Sequence, residues 1–274
     1  MILDECLELA AACVERTGPR LIVHAFVPEA RPDPARDAEF GVLVLDDGCA
    51  GLYYAWLGAT QEGMASRFPP ESLVGRDALA LARSLRAGDD AARSVAVAAL
   101  NALTASLWRS VDYVPPPATD SFGLALAAGR TLGMVGNFPS LVRQARALSI
   151  EVTVLERKAH MVRREPGLEI TLDPQALAHC EQVICTAATL INDSMDEVLG
   201  FCAPGAQVAV VGPTAGILPE PLFARGVAVV GGTLLRNAET ACQRLAAGQK
   251  LGDVGYRYRL VPGEYPGTSR LCLR

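Results

Sequence analysis

The spacing of apolar positions along this chain changes repeatedly, and the changes divide it. In the first 17 residues Leu3, Leu7, Ala10 and Val14 recur at helical intervals, which predicts an amphipathic helix. Residues 20–27 (RLIVHAFV) read as a strand, and the following PEARPDPARD as a proline- and charge-rich loop. Residues 40–45 and 52–56 predict two more strands, joined by a hairpin turn at Asp46-Asp47-Gly48. Residues 58–67 (GATQEGMASR) carry no apolar period and predict a polar loop. A helix over 73–87 follows Pro70-Glu71-Ser72, and Gly88-Asp89-Asp90 then breaks the chain and caps a stronger helix at 91–108.

Val114-Pro115-Pro116-Pro117-Ala118-Thr119 interrupts the pattern, because consecutive prolines favour extended polyproline geometry and stop both helix and sheet. The domain boundary is expected here, giving units at 1–114 and 118–274. Beyond it, apolar runs without alternation at 131–135, 151–155, 182–186, 207–211 and 227–230 predict strands covered on both faces. Helices are expected at 140–149, 174–179, 196–202 and 238–247, and the tail 256–274 as a loop or an edge strand packing back on the fold. Strands alternating with helices argue for a parallel sheet with right-handed crossovers. The expected class is α/β, a Rossmann-like parallel-sheet domain preceded by a smaller α+β domain.

Residues 129–157 organise the second half. A strand ends in a tight turn of Gly133, Gly136 and Asn137, a helix starts at Pro139-Ser140, and a second strand ends at Glu156. In a doubly wound sheet this aims a helix N-terminus at a ligand, with the acid placed to accept hydrogen bonds from its hydroxyls. The turn carries one glycine fewer than the dinucleotide fingerprint. All five strand ends run into small or polar residues, among them Gly136-Asn137, Glu156, Thr189 with Asn192, Gly212, and Gly231-Gly232-Thr233. They are expected to converge on one pocket for a small molecule.

Composition narrows the partners. Half of the 274 residues are hydrophobic, enough for a substantial core and making a homodimer unsurprising. The net charge is −5 and the 25 basic residues form no stripe, so nucleic acid is not an expected partner. No apolar run approaches the ~20 residues of a membrane span. The N-terminus holds Asp4, Glu5 and Glu8 and lacks a basic leader, which argues against a signal peptide. Eight cysteines without a CxxC pair are expected to be reduced thiols of a cytoplasmic protein.

Catalytic chemistry is thin. No Ser-centred elbow, Walker loop or HExxH sequence occurs, and the histidines are His24, His160 and His179. A metal set could be assembled from Glu156, His160, Cys180 and Cys185, although its spacing matches no closed zinc pattern. Asn101 falls on or beside an apolar helix face, where its amide either bonds a neighbouring loop or is presented to a ligand. Three functional readings stay open: a binder of a small polar ligand, metal ion or metal chelate; an enzyme using a nucleotide-type cofactor, NAD or S-adenosylmethionine; and a non-catalytic carrier.

Ala98-Ala99-Leu100-Asn101-Ala102, Gly133-Met134-Val135-Gly136-Asn137-Phe138-Pro139, Val154-Leu155-Glu156, 189–194 (TLINDS) and Gly212-Pro213-Thr214 together resemble a two-domain bacterial and archaeal family described as "putative heavy-metal chelation". The resemblance implies an enolase-N-terminal-like domain followed by a Rossmann-like one. It also implies a ligand cleft between them, lined by Asn101, Gly136, Glu156, Thr189, Asn192 and Gly212. Ala187-Ala188 departs from the family, where a glycine is expected before Thr189, and disfavours a close phosphate-like contact at that turn.

Overall fold

A computed structural model describes residues 1–28, 40–58, 60–120, 123–126 and 128–272. All but the first residue of the proline- and charge-rich loop lies outside them. The apolar stripe of α1 (Ile2–Thr17) is realised, with Ile2, Leu3, Cys6, Leu7, Ala10 and Cys13 buried. β1 (Ile22–Phe26), β2 (Phe40–Leu45) and β3 (Ala50–Tyr54) form an antiparallel meander in sequence order. The segment expected as a polar loop contains α2 (Thr60–Arg67). Its buried face is Thr60, Gln61 and Met64, two of them polar, so no apolar period could betray it.

The single helix expected over 73–87 is split into α3 (Pro70–Leu73), α4 (Ala78–Ala82) and a 3-10 turn at Arg83–Ala87. The split has a local cause: the Asp77 carboxylate accepts the Ala80 amide at 2.7 Å and so starts a new helix. α5 (Asp90–Ser110) is capped likewise, Asp89 accepting from Ala92 at 2.9 Å. From Ala91 to Trp108 every side chain of α5 except Arg93 is buried, so this helix is covered on all sides.

The second unit comprises β4 (Thr131–Val135), α6 (Pro139–Ala147), β5 (Glu151–Leu155), β6 (Arg163–Glu165), β7 (Leu168–Thr171), β8 (Gln182–Thr186), α7 (Met195–Phe201), β9 (Gln207–Val211), α8 (Glu220–Phe223), β10 (Val227–Leu235), α9 (Ala238–Ala246), β11 (Gly255–Leu260) and α10 (Thr268–Leu271). The sheet order is β11-β10-β9-β8-β4-β5-β7-β6. All neighbours are parallel except at the two edges, where β6 and β11 run antiparallel. All five expected parallel strands are present, and the tail supplies an edge strand. The β6–β7 hairpin was not anticipated, because β6 is three exposed charged residues and β7 only four residues long. At the other margin the proline linker runs along β11: the Ala118 amide donates to the Arg257 carbonyl and the Arg259 amide to the Pro116 carbonyl, each at 3.0 Å.

One apolar core runs through both units, joining α1, α5 and the meander to Val183, Cys185, Val208, Val210 and Val230 of the large sheet. A second core, with Met134, Val142, Val154 and Ile184, fills the opposite face beneath α6. Charge ties the units as well: Arg225 donates to Glu5 at 2.8 and 3.1 Å and also to Asp196. No helix among the described residues is long and apolar enough to cross a membrane.

Candidate functional site

Strand order reverses between β4 and β8, the position at which open α/β sheets bind ligands beyond their carboxyl ends. The turn after β4 is built for that crevice. Gly136 has φ 86, a conformation glycine adopts without strain, and a Cβ there would lie 3.1 Å from Thr186 Cγ2 across the switch point. Its amide donates to the Leu155 carbonyl at 2.9 Å, holding the tips of β4 and β5 together. At the second tip the Glu156 carboxylate accepts from the Asn137 amide at 3.2 Å and from the Arg157 amide at 2.8 Å. Tyr54, at the end of β3, has its hydroxyl pushed above the usual phenol range by burial and, secondarily, by the charge of Glu156.

On the other side of the crevice β8 runs into a 3-10 turn, Ala187–Leu190. The Thr186 hydroxyl accepts from the Ala188 amide at 3.3 Å, and the Thr189 hydroxyl donates to the Thr186 carbonyl at 2.7 Å. Asn192 Oδ1 accepts from both the amide (3.3 Å) and the hydroxyl (2.6 Å) of Ser194. Arg93, reaching across from α5, donates through Nε to the Ile191 carbonyl at 2.6 Å and through Nη2 to Asp90 at 2.7 Å. The turn that carries Asn192 is therefore fixed by the first unit.

These tips and α7 enclose a cleft of about 550 Å³, lined by Gly136, Glu156, Thr189 and Asn192 among the residues the sequence singled out. Asn137 is not among the lining residues; its backbone amide donates to Glu156, which is. Sequence reasoning missed Leu57, Leu172, Glu197 and Phe201, which also line it, as does Asp193 of the quoted 189–194 stretch. Glu197 stands in the first turn of α7, but nothing in the sequence distinguished it from other acids of helix N-termini.

Three singled-out residues lie elsewhere. Gly133 is in mid-strand, where a Cβ would come within 3.1 Å of Cys180 and Leu177, so its smallness serves packing. Asn101 is buried, its Nδ2 donating to the Leu52 carbonyl at 2.7 Å and to the Thr214 carbonyl at 3.2 Å. Of its two readings, the geometry is that of a bond to neighbouring backbone, here one that links the two units. Gly212, φ 131, borders a separate cavity of about 310 Å³ with Gly231, Thr233, Arg257 and Arg259. The five strand ends thus do not share one pocket. The 3-10 turn Pro213–Ala215 after β9 packs on β3, α5 and β10, and β10 runs on to Leu235, so Gly231–Thr233 lie within the strand and not at its end.

The metal set drawn from Glu156, His160, Cys180 and Cys185 is not assembled. His160 is exposed, while Cys180 and Cys185 are buried and burial pushes the Cys185 thiol up to about 12. No group of three or more His, Cys, Asp or Glu residues able to hold a metal occurs among the described residues. Among the described residues, those lining the cleft include no histidine, cysteine or lysine. Of the described lining residues Glu156, Asp193 and Glu197 are carboxylates and Arg157 is a cation, a set that accepts hydrogen bonds and favours donor-rich or positively charged groups.

A three-stranded meander with helices, set against a doubly wound sheet with a cleft at its switch point, defines a two-unit α/β protein of Rossmann-like type. The model of the family described as "Putative heavy-metal chelation" matches residues 120–261, and a second model with the same description matches residues 38–104. The chain belongs to this family. Two solved structures of the family share the fold, both of proteins of unknown function. One, from Pyrococcus horikoshii, is 19% identical over 95% of this chain and 100% of its own, with a TM-score of 0.69. The other, from Desulfitobacterium hafniense, is 18% identical over 94% of this chain and 98% of its own, with a TM-score of 0.62. No curated protein matches the chain.

Proposed function

We propose that the cleft binds a small polar organic molecule, and that a heavy metal reaches it only as a complex carried by such a molecule. The observation that supports this reading is the donor set. Soft metals seek thiolates and imidazoles, whereas the cleft offers carboxylates, hydroxyls and an amide, and no three-ligand group stands among the described residues. Glu156 and Asn192 are the polar anchors of this reading, and Leu57, Leu172 and Phe201 its apolar walls.

Calorimetry against free divalent metals and against the same metals as organic chelates tests it. Saturable binding is expected for a chelate and not for the free ions. Glu156→Ala and Asn192→Ala are each expected to weaken it more than about tenfold, the cost of one hydrogen bond to a charged or buried group. If both variants leave every detected affinity unchanged, the site assignment fails.

A second reading rests on Glu156 itself, which ends the second strand of a strand–turn–helix–strand unit. An acid at that position accepts ribose hydroxyls in nucleotide-binding sheets, so the guest would be NAD or S-adenosylmethionine. The absent third glycine weighs against NAD. Titration with each cofactor separates the two readings, and a carrier role predicts instead a protein complex without small-molecule affinity. A cytoplasmic setting, no nucleic-acid partner and a homodimer complete the proposal; light scattering reads the last.

A further inference from the structure

Outside the cleft, α1 and the C-terminal segment meet through sulfur. The Sγ atoms of Cys13 and Cys272, 259 positions apart in sequence, lie 3.4 Å from each other. Arg16 donates through Nη1 to the Cys272 carbonyl at 3.0 Å, which holds the two backbones in register. We propose that Cys13 and Cys272 are a modification site, a thiol pair that closes to a reversible disulfide and clasps α1 to the end of the fold.

The two sulfurs are in van der Waals contact, so a bond of about 2.05 Å requires them to approach by roughly 1.4 Å. Four other cysteines have different sulfur partners. Cys6, Cys180, Cys185 and Cys202 donate to the carbonyls of Leu218, Ala176, Thr186 and Val198. The pair is also unequal. Cys13 is 4% exposed, and burial, with the hydrogen bond to Cys272, pushes its thiol up to about 12. Cys272 is half-buried, so it is the sulfur a reagent reaches first.

The oxidant is a small-molecule disulfide of the glutathione class. The Cys272 sulfur attacks one of its sulfurs, giving a mixed disulfide and one released thiol. Cys13 then attacks the Cys272 sulfur, giving up its proton to solvent as the second small thiol leaves. Two protein thiols are oxidised, one small disulfide is reduced to two thiols, and no other reactant is needed. The clasp acts on an element already tied at its other end, where Glu5 meets Arg225 and the Ile2 amide donates to Asp196 at 3.1 Å. It does not depend on what the cleft binds.

The test uses the full chain treated with oxidised glutathione, followed by peptide mapping without reductant and by thermal unfolding. A cross-linked pair of peptides containing Cys13 and Cys272 is expected. The unfolding midpoint should rise by about 5 °C, since the bond closes a loop of nearly the whole chain. Dithiothreitol should reverse both effects, and Cys272→Ser, at a half-buried position that tolerates it, should abolish both, as should Cys13→Ala. A different cysteine pair, a lasting glutathione adduct on Cys272 with Cys13 free, or no oxidation at all overturns the proposal.

Discussion

Gly51 shows how much a single atom decides here. A Cβ on it would sit 1.9 Å from the Ala98 carbonyl oxygen and 2.5 Å from the Ala102 amide nitrogen, both backbone atoms of α5. Neither can retreat, because α5 is buried on all sides. Gly51→Ala is expected to cost about 3 kcal/mol or more, measured by denaturant unfolding. Gly136→Ala differs: its crowding is 3.1 Å against a side-chain methyl, and its strain comes from a positive φ, worth about 1–3 kcal/mol. That variant should lose ligand affinity along with stability, whereas Gly51→Ala should lose stability alone.

Among the elements, the turn between β8 and α7 depends on a helix from the other unit. Arg93 carries the one side chain of α5 between Ala91 and Trp108 that is not buried, and it donates to the Ile191 carbonyl. Arg93→Ala is expected to loosen Asn192 and weaken ligand binding about tenfold, with the unfolding midpoint changed little; calorimetry and thermal unfolding read the two effects. Elements were legible in the sequence where burial imposed a period. β4, β5, β8 and β9 fall where their apolar runs put them, since both faces are covered. α2 was illegible because polar Thr60 and Gln61 occupy its buried face, and β6 because its Arg163, Arg164 and Glu165 face solvent. The site was half legible for the same reason. Gly136, Glu156, Thr189 and Asn192 stand at strand ends, which sequence locates, whereas Leu57 and Glu197 enter from elements whose docking only the three-dimensional structure gives.

For the molecule as a whole, one core shared by both units implies one cooperative transition, which calorimetry should record as a single peak. Buried thiols contribute to its pH dependence on the alkaline side. Burial pushes Cys49, Cys202 and Cys242 up to about 11 and Cys185 up to about 12. Their folded values lie above the ~8.5 of an unfolded chain, so the protonated thiols stabilise the fold. That contribution is complete below about pH 8.5 and is lost as pH rises toward 11–12. Under reducing conditions the thiols' contribution to the unfolding midpoint should therefore stay level to about pH 8 and fall above pH 9.

The margins of the large sheet bear on how copies of this protein can meet. On one side the outermost strand is three charged, solvent-facing residues, and on the other the proline linker bonds the Arg257 carbonyl and the Arg259 amide of β11. A sheet that ends this way disfavours the edge-to-edge addition of a neighbour's strand. Contacts between copies are therefore expected away from these two margins rather than as one large sheet continued into another.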